Sequence, residues 1–328
     1  MINDHVDHRT VRSALELAVH APSVHNSQPW RFVLGPRSVH LYADLARWLP
    51  ATDADGRDLV LSCGILLHHL RIALAAAGIR ASVHRIPNPD APDHLAAVDL
   101  LPGPPADADL GLASAILRRR TDRRRYTDWE VPEGFARELA ARAAEQGALL
   151  RSVSGARERS LVLTAIRDAA AEQEADTAYR TETAVWSGRV ADDTGVPAGN
   201  LLRDAAGTGA GTARRFAQGL LEQPDSRTDD GAVLLVLGTA SDDPLSQLRA
   251  GEAASAALLH ATELGLATCP LSQPLEVTTT RITIRDAVLG GTLCPQLLLR
   301  VGWAPLGPQL KPTPRRPIAQ TIERSRDR

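Results

Sequence analysis

Lysine is almost missing from this chain: Lys311 is the single lysine among 37 lysine and arginine residues. Schiff-base chemistry, which needs a lysine amine, is therefore all but excluded, and any anion site has to rest mostly on guanidinium forks and backbone amides. Cysteine is scarce as well. Cys63, Cys269 and Cys294 are far apart and form no C-x-x-C pair, so they read as free thiols in a reducing compartment rather than as a disulfide framework. No apolar run approaches eighteen residues, and the N-terminus has no apolar core followed by a small-residue cleavage site; both absences lead us to expect a cytoplasmic protein without a membrane partner. A net charge of -2 gives no global field for nucleic acid, although arginines cluster locally. There is no G-x-S-x-G and no G-x-x-x-x-G-K-[ST], so neither a nucleophile elbow nor a P-loop is expected. The run Gly207 to Thr212 reads as a flexible loop. His68 and His69, neighbours on one helix, point in different directions, and no metal site is expected from them.

What is present is enough hydrophobic residue, 44% of 328, for one large domain or two ordinary ones. Apolar residues at Val11, Leu15, Leu17 and Val19 predict an opening helix. "WRFVLG" and "SVHLYAD" read as two strands joined through Gly35-Pro36, followed by a long helix from about Asp55 and a strand "IRASVHRI". The stretch "PNPDAPDHLAAVDLLPGPPADADL", rich in proline and aspartate, reads as a linker between two halves. Beyond it come a helix ending in "ILRRRTDRRRYTDW", a helix "PEGFARELAARAAEQG", a strand "ALLRSV" and a helix from about Ala156 to Tyr179. Periodicity then fades until "GAVLLVLGTA", a continuous apolar run that predicts a buried strand.

The two halves echo each other. Gly64 precedes Gly78 by fourteen residues in one Ala/Leu-rich helix, and Gly251 precedes Gly265 by fourteen in another. Fourteen residues are about four helical turns, so the first glycine of each pair marks a face and the second suits a C-terminal cap.

Two segments carry candidate chemistry. In "APSVHNSQPWRF", directly after the first helix, Ser23, His25, Asn26 and Gln28 offer hydroxyl, imidazole and amide groups suited to a flat ligand with carbonyl and imide edges. In "LRRRTDRRRYTDW" six arginines surround Thr121 and Asp122, either as a solvated basic helix end or as a phosphate clamp. The tail "APLGPQLKPTPRRPI" carries Lys311, Arg315 and Arg316 on a proline-stiffened path.

The first of these closely resembles the A-P-S-x-x-N-x-Q-P-W signature of the FMN-dependent nitroreductase superfamily, and "RRRTDRRRY" resembles that family's R-R-S-x-R segment. "KPTPRRP" is similar to its C-terminal phosphate-binding arginine segment. In ordinary members the arginine segment precedes the A-P-S motif in a shorter chain, and two chains intertwine with each FMN held between them. Here the order is reversed, and the matching place in the second half, "AAEQGALLRSV", has no Pro-Ser or Asn. The pattern resembles that of the Acg-type subfamily, in which two nitroreductase-like halves are fused and each has lost the complementary part of a site.

The resemblance implies an α+β nitroreductase-like fold of two pseudo-symmetric halves, 1–105 with the A-P-S segment and 106–328 with the arginine clamp; the stretch around 180–215, rich in Gly, Thr and Asp and without periodicity, reads as an insertion that could serve as a lid. The resemblance implies one FMN per chain. Pro22, Ser23, His25 and Asn26 would lie along the isoalloxazine or ribityl, with Gln28 beside them; Arg119, Thr121 and Arg123 would meet the phosphate region, completed by Arg315 or Arg316. Thr268 to Ser272 is a further candidate for the flavin face. It also implies NAD(P)H as electron donor and a nitroaromatic, quinone or similar small molecule as acceptor, with the flavin carrying the chemistry and no catalytic side chain. The competing expectation is a flavin-sequestering protein whose lid covers the FMN; an RNA-associated module is a third reading. A pseudo-dimeric monomer and a homodimer are both compatible with the sequence.

Overall fold

In a computed structural model the described residues are 7–189, 193–203, 214, 216, 218–223 and 230–323. Helix α1 (His8–Ala18) starts at Asp7, whose carboxylate accepts the Arg9 amide, and buries Val11, Ala14, Leu15 and Ala18 along one stripe. Strands β1 (Trp30–Leu34) and β2 (Ser38–Ala43) form the expected hairpin, followed by α2 (Arg57–Ala76), β3 (Ile79–Arg85) and β4 (His94–Pro102). The linker reading is corrected here: "HLAAVDLL" is β4, paired with both β2 and β3, and the connector between halves shrinks to 103–106. The flanking prolines and aspartates masked a central strand whose Leu95, Ala96, Val98 and Leu100 enter the core.

The second half runs α3 (Asp107–Arg118), α4 (Glu133–Ala144), β5 (Leu149–Ser152), α5 (Ala156–Ala175) and α6 (Thr177–Val185). The single helix expected over 156–179 is broken at Asp176, whose side chain accepts the Ala178 amide and starts a new helix. A small pair, β6 (Ser187–Arg189) and β7 (Val196–Pro197), precedes β8 (Val233–Thr239), α7 (Pro244–Glu263), β9 (Ala267–Leu271), α8 (Gln273–Glu276), α9 (Thr278–Val288), β10 (Cys294–Gly302) and β11 (Ile322–Glu323). Gly207 to Thr212, and part of the expected 180–215 lid, lie outside the described residues.

Among the described residues the long strands form two sheets, ordered β11-β1-β2-β4-β3 and β5-β8-β10-β9. Leaving β11 aside, the orders are the same once β1, β2, α2, β3, β4 are matched to β5, β8, α7, β9, β10, and every pairing within these four-strand sets is antiparallel. The halves are therefore repeats of one topology. They are also laced together, because β11, at the end of the second half, adds in parallel to β1 of the first.

The repeats meet back to back. α2 and α7 cross at Gly64 and Gly251: a Cβ on Gly64 would lie 2.1 Å from the Leu248 carbonyl oxygen, and one on Gly251 2.1 Å from that of Leu61. Only glycine permits that approach. Gly78 and Gly265, at φ +76° and +80°, end the two helices in the left-handed conformation. The patterning of the sheets follows from what covers them. β8 is apolar from Val233 to Leu237 because Leu235 and Leu237 face the central core around α2 and α7 while Leu234 and Val236 face a second core with α5 and α9. β2, covered on one side, alternates, with Val39, Leu41 and Ala43 inward. α2 is long and apolar enough to span a bilayer, but 72% of its apolar window is buried inside the protein, as befits a core helix.

Candidate functional site

After α1 the chain cannot continue as a helix, since Pro22 lacks an amide hydrogen. It makes one tight turn instead: Asn26 N donates to Ser23 O, Ser27 N to Val24 O, and Gln28 N to Ser23 Oγ at 2.9 Å. His25, Asn26 and Gln28 all have left-handed backbones, with φ of 46°, 54° and 53°. Each such non-glycine residue costs on the order of 1–3 kcal/mol, and such costs concentrate where geometry serves a site. The strain is held by what grips the loop. Gln28, fully buried, accepts the Arg316 amide at 2.9 Å and donates to the Asp193 carbonyl at 2.7 Å. Asn26 Nδ2 donates to the carbonyls of Gly195 and Pro314. Arg316 adds bonds to the Gln28 and Gln320 carbonyls and an ion pair with Asp44 at 3.5 Å.

From the second half, the chain after α3 runs along the outer edge of β9. Asp122 N donates to Thr268 O, Thr268 Oγ1 to Arg120 O, and Thr121 bridges Thr268 in parallel. Successive side chains on an extended segment point to opposite sides. Thr121 and Arg123 line the cavity, and Arg119 Nη1 lies 3.4 Å from Thr121 Oγ1. Arg124 instead turns onto buried Asp122 at 2.7 Å, and Arg120 caps the carbonyl of Leu117. The arginine run is thus divided between structure and site.

Between these segments lies a cavity of about 90 Å³. Pro22, Ser23, Val24 and His25 form one wall, with Asp58, Leu61, Ser62 and Ile65 of α2 beside them. Thr121, Arg123 and Cys269 to Ser272 form the opposite wall, and Leu297 of β10 contributes from the sheet. Arg214 and Phe216 complete the lining: Phe216 packs edge-on to His25 at 5.6 Å with Arg123 over its ring, and Arg214 donates to Tyr179, contacts Ser272 and pairs with Glu276. Sequence reasoning passed over Asp58 and Ser62, whose signal was two polar residues one turn apart on the first turns of α2. It also passed over Arg214 and Phe216, which stand in a segment without periodicity.

The electrostatics split the site in two. Near the arginines, charge of one sign accumulates: burial and the neighbouring Arg120 and Arg123 hold Arg119 down to about 10, while burial, Arg119 and Arg120 hold Arg315 down to about 9. His20, half-buried and facing the same guanidinium groups, is lowered to about 4 and so is neutral at pH 7. Such a cluster favours an anion. Arg315 supplies charge rather than free donors, because its guanidinium is spent on the carbonyls of Val19, His20, Ala21, Thr313 and Pro314. Arg119 Nε, by contrast, is buried without a partner among the described residues. At the loop, both ring nitrogens of His25 and Asn26 Oδ1 are likewise buried and unpartnered, and His25 is held neutral by burial and by Arg214 and Arg123. On α2, burial raises Asp58 to about 6 despite its ion pair with Arg57 at 2.8 Å.

The repeat puts a second such place on the other side of the α2–α7 crossing, and there it is filled. In the register set by the glycine pairs, Ile65 and Ser272 of the cavity correspond to Glu252 and Arg85. Glu252, fully buried, binds Arg85 through both oxygens at 2.6 and 2.9 Å and Arg71 at 2.8 Å, and Arg71 also donates to Gln146. The connection from α4 to β5 spans only 145–148, where the first half has the whole loop from 19 to 29.

Comparison with known proteins bears on what this arrangement belongs to. Residues 3–52 match the Nitroreductase family. Over 322 residues, covering 97% of this chain and 92% of the relative, the sequence is 48% identical to Rv3131 of Mycobacterium tuberculosis H37Rv, provisionally named an NAD(P)H nitroreductase. The chain belongs to the nitroreductase family. It is 37% identical over 320 residues, 95% of each chain, to acg of the same organism, which carries the same provisional name. Among solved structures, the FMN-dependent nitroreductase NfnB of Mycobacterium smegmatis in complex with NADPH is similar at a TM-score of 0.42 and 20% identity, covering 67% of this chain and 100% of that one.

Proposed function

We propose that this nitroreductase-family chain binds one FMN in the cavity between its halves and acts as an NAD(P)H-dependent oxidoreductase on a nitroaromatic, quinone or similar acceptor. The observation that carries the reading is the meeting, across the junction of two repeats, of a strained A-P-S loop and an arginine-edged strand. The residues fit the group. Leu61, Ile65 and Leu297 offer apolar surface to a ring system, the unpartnered His25 and Asn26 atoms offer polar contacts at the loop, and the Arg119–Arg315 cluster offers charge to a phosphate. In this reading Pro22, Ser23 and His25 face the flavin or ribityl, Thr121 and Arg123 the ribityl and phosphate region, and Arg119 the phosphate. Asn26, Gln28 and Arg316 hold the loop in shape, and Arg315 adds charge while capping α1. Bound FMN supplies the hydride chemistry. The chain binds it, orients it and keeps water out, and none of its side chains is needed as acid, base or nucleophile.

One flavin rather than two follows from the Glu252–Arg85–Arg71 group, which occupies the equivalent place in the other repeat. The halves, divided near 105, supply to each other what a second chain would supply, so one chain suffices to build the site. A cytoplasmic location accompanies this reading, with its three free cysteines.

One observation favours flavin sequestration as the second reading. Residues 193–200 are fastened to both the loop and the tail, through Gln28 to Asp193, Asn26 to Gly195, and Asn200 to Lys311 and Thr313, and Arg214 and Phe216 reach into the cavity. Anaerobic mixing of the flavin-loaded protein with NADH or NADPH separates the two. Bleaching of the flavin band with either supports the oxidoreductase; stoichiometric FMN that neither nicotinamide reduces supports sequestration. A colourless protein that takes up no FMN defeats both.

A further inference from the structure

His68 and His69 lie where α2 crosses α7, and both reach one hydroxyl: Ser255 Oγ is 2.8 Å from His68 Nδ1 and 2.8 Å from His69 Nδ1. A serine has one proton to give. His69 Nδ1 is also 3.1 Å from the Ile65 carbonyl, which can only accept, so this nitrogen carries the hydrogen. Ser255 Oγ then accepts from His69 and donates to His68, and neutral His69 keeps its lone pair on Nε2. That atom is buried in a fully buried residue and has no partner among the described residues. A buried acceptor without a donor calls for an explanation.

Its surroundings supply one. Ala115 and Ile116, in the last turn of α3, pack with Ile72 of α2, one turn along from His69, and Arg119 follows directly on that turn. The charges that act on His69 are Arg119 after α3, His68 on its own helix and Arg315 from the tail; with burial they hold it neutral, well below the usual imidazole range. Ser255, from α7, brings no charge. Arg119 Nε is likewise unpartnered among the described residues. Ile65, one turn back along α2, lines the cavity, and Ile72, one turn on, meets the end of α3, so an uncharged acceptor stands on the face of α2 that leads from the cavity toward Arg119, where a bound phosphate would present oxygens rather than hydrogens.

We infer that His69 is a proton-accepting member of the anion site: when a phosphate dianion settles among Arg119 and Arg315, Nε2 takes one proton from solvent and donates the new N–H to a phosphate oxygen. The identity of the ligand rests on the flavin reading above. The proton balance is simple, because Nδ1–H and the Ser255 hydroxyl stay as they are and the single added proton sits between Nε2 and the phosphate. Burial is the larger reason that His69 is neutral, and the positive charges add to it; the dianion reverses that second contribution and gives the new N–H a charged acceptor, which together shift the proton.

The test is calorimetric titration of the FMN-free protein with FMN at pH 8, in phosphate-free buffers of different ionisation enthalpy. A phosphate monoester, with a second pKa of about 6, is already dianionic there, so any proton taken up enters the protein. Arg315 and Arg119, held down to about 9 and about 10 by burial and by their neighbouring guanidinium groups, are still charged at this pH and contribute little. The expected result is uptake approaching one proton per FMN, none with riboflavin, and FMN affinity weakening by up to about tenfold per pH unit between pH 7 and 8.5. His69→Gln, which presents an amide donor without titrating, should bind FMN with no uptake and a flat pH profile. FMN binding without proton uptake overturns this inference and leaves the flavin reading standing; uptake undiminished in His69→Gln overturns it too, by assigning the proton elsewhere. Absence of FMN binding overturns both.

Discussion

Alanine in place of Gly64 or Gly251 tests the crossing on which the proposed composite site depends. In an ordinary helix interior the change would stabilise, by up to about 1 kcal/mol. Here the new methyl would stand 2.1 Å from a carbonyl oxygen of the facing helix, with the other glycine's Cα at 2.9 Å from the Gly64 side and 2.7 Å from the Gly251 side. A carbon needs about 3.3 Å from such an oxygen, so the helices must separate by roughly 1 Å, and backbone cannot rotate aside as a side chain can. Overpacking of this kind costs about 1–3 kcal/mol, and backbone contact puts these sites toward the upper end. Set against the propensity gain, each single variant should lose about 1–2 kcal/mol. The assay is urea unfolding with an unchanged m-value, together with a melting temperature lowered by a few degrees. The double variant should lose less than the sum, because one methyl already parts the helices for the other. Gly251→Ala presses on the Leu61 carbonyl, and Leu61 lines the cavity; it should also weaken FMN binding more than Gly64→Ala, which presses on Leu248. A raised unfolding midpoint in either single variant would refute the close crossing.

The remaining predictions concern charge. Arg119→Gln should weaken FMN binding about 10- to 100-fold, the range of a lost charge-assisted bond, and leave riboflavin binding unchanged; equal losses for both, measured by fluorescence titration, would remove Arg119 from the phosphate. Glu252→Gln leaves Arg71 and Arg85 without their carboxylate, and with those arginines 31% and 22% exposed the cost should be about 2–4 kcal/mol. Its flavin content, by absorbance after denaturation, should stay at one per chain, because that place is structural. Folded-state values of His20, His25, His68 and His69 all lie below the usual 6.5. The unfolded chain then binds more protons as pH falls, so stability should be fully present above about 6.5 and decline toward pH 4; a urea midpoint flat over that window would contradict their burial as neutral rings.

Much of the repeat could be read from residues alone because its signals are local. Glycine is needed both where two helix backbones touch and where a helix ends left-handed, so the paired Gly64/Gly78 and Gly251/Gly265 spacing marked the same helix twice. The A-P-S segment was legible for a similar reason, since proline stops α1 and the polar residues crowd into one turn. Left-handed backbones at His25, Asn26 and Gln28 were not legible: nothing short of Gln28 meeting Asp193 and Arg316, far away in the chain, imposes them. β4 was mistaken for linker because punctuation residues flank it, and strand identity there is decided by neighbours on both sides. The choice between Arg315 and Arg316 could not be made from adjacent identical side chains, whereas in the fold one caps α1 beside Arg119 and the other pairs with Asp44.

In the proposed arrangement, two repeats with one flavin site, the two places need not be built alike. In a symmetric dimer, each residue on the central helices serves two equivalent places, so a substitution that helps one place alters the other in the same way. Two repeats within one chain are free of that constraint. Ile65 can remain an apolar wall while its counterpart Glu252 becomes the centre of an ion pair, and Ser255 can serve both His68 and His69 although its own counterpart, in the glycine register, is His68. The asymmetry therefore sits in side chains, over a backbone that stays nearly symmetric at Gly64 and Gly251. It also explains why the loop from 19 to 29 can afford three left-handed residues: the tail that grips it, through Arg315 and Arg316, belongs to the same chain and is always present.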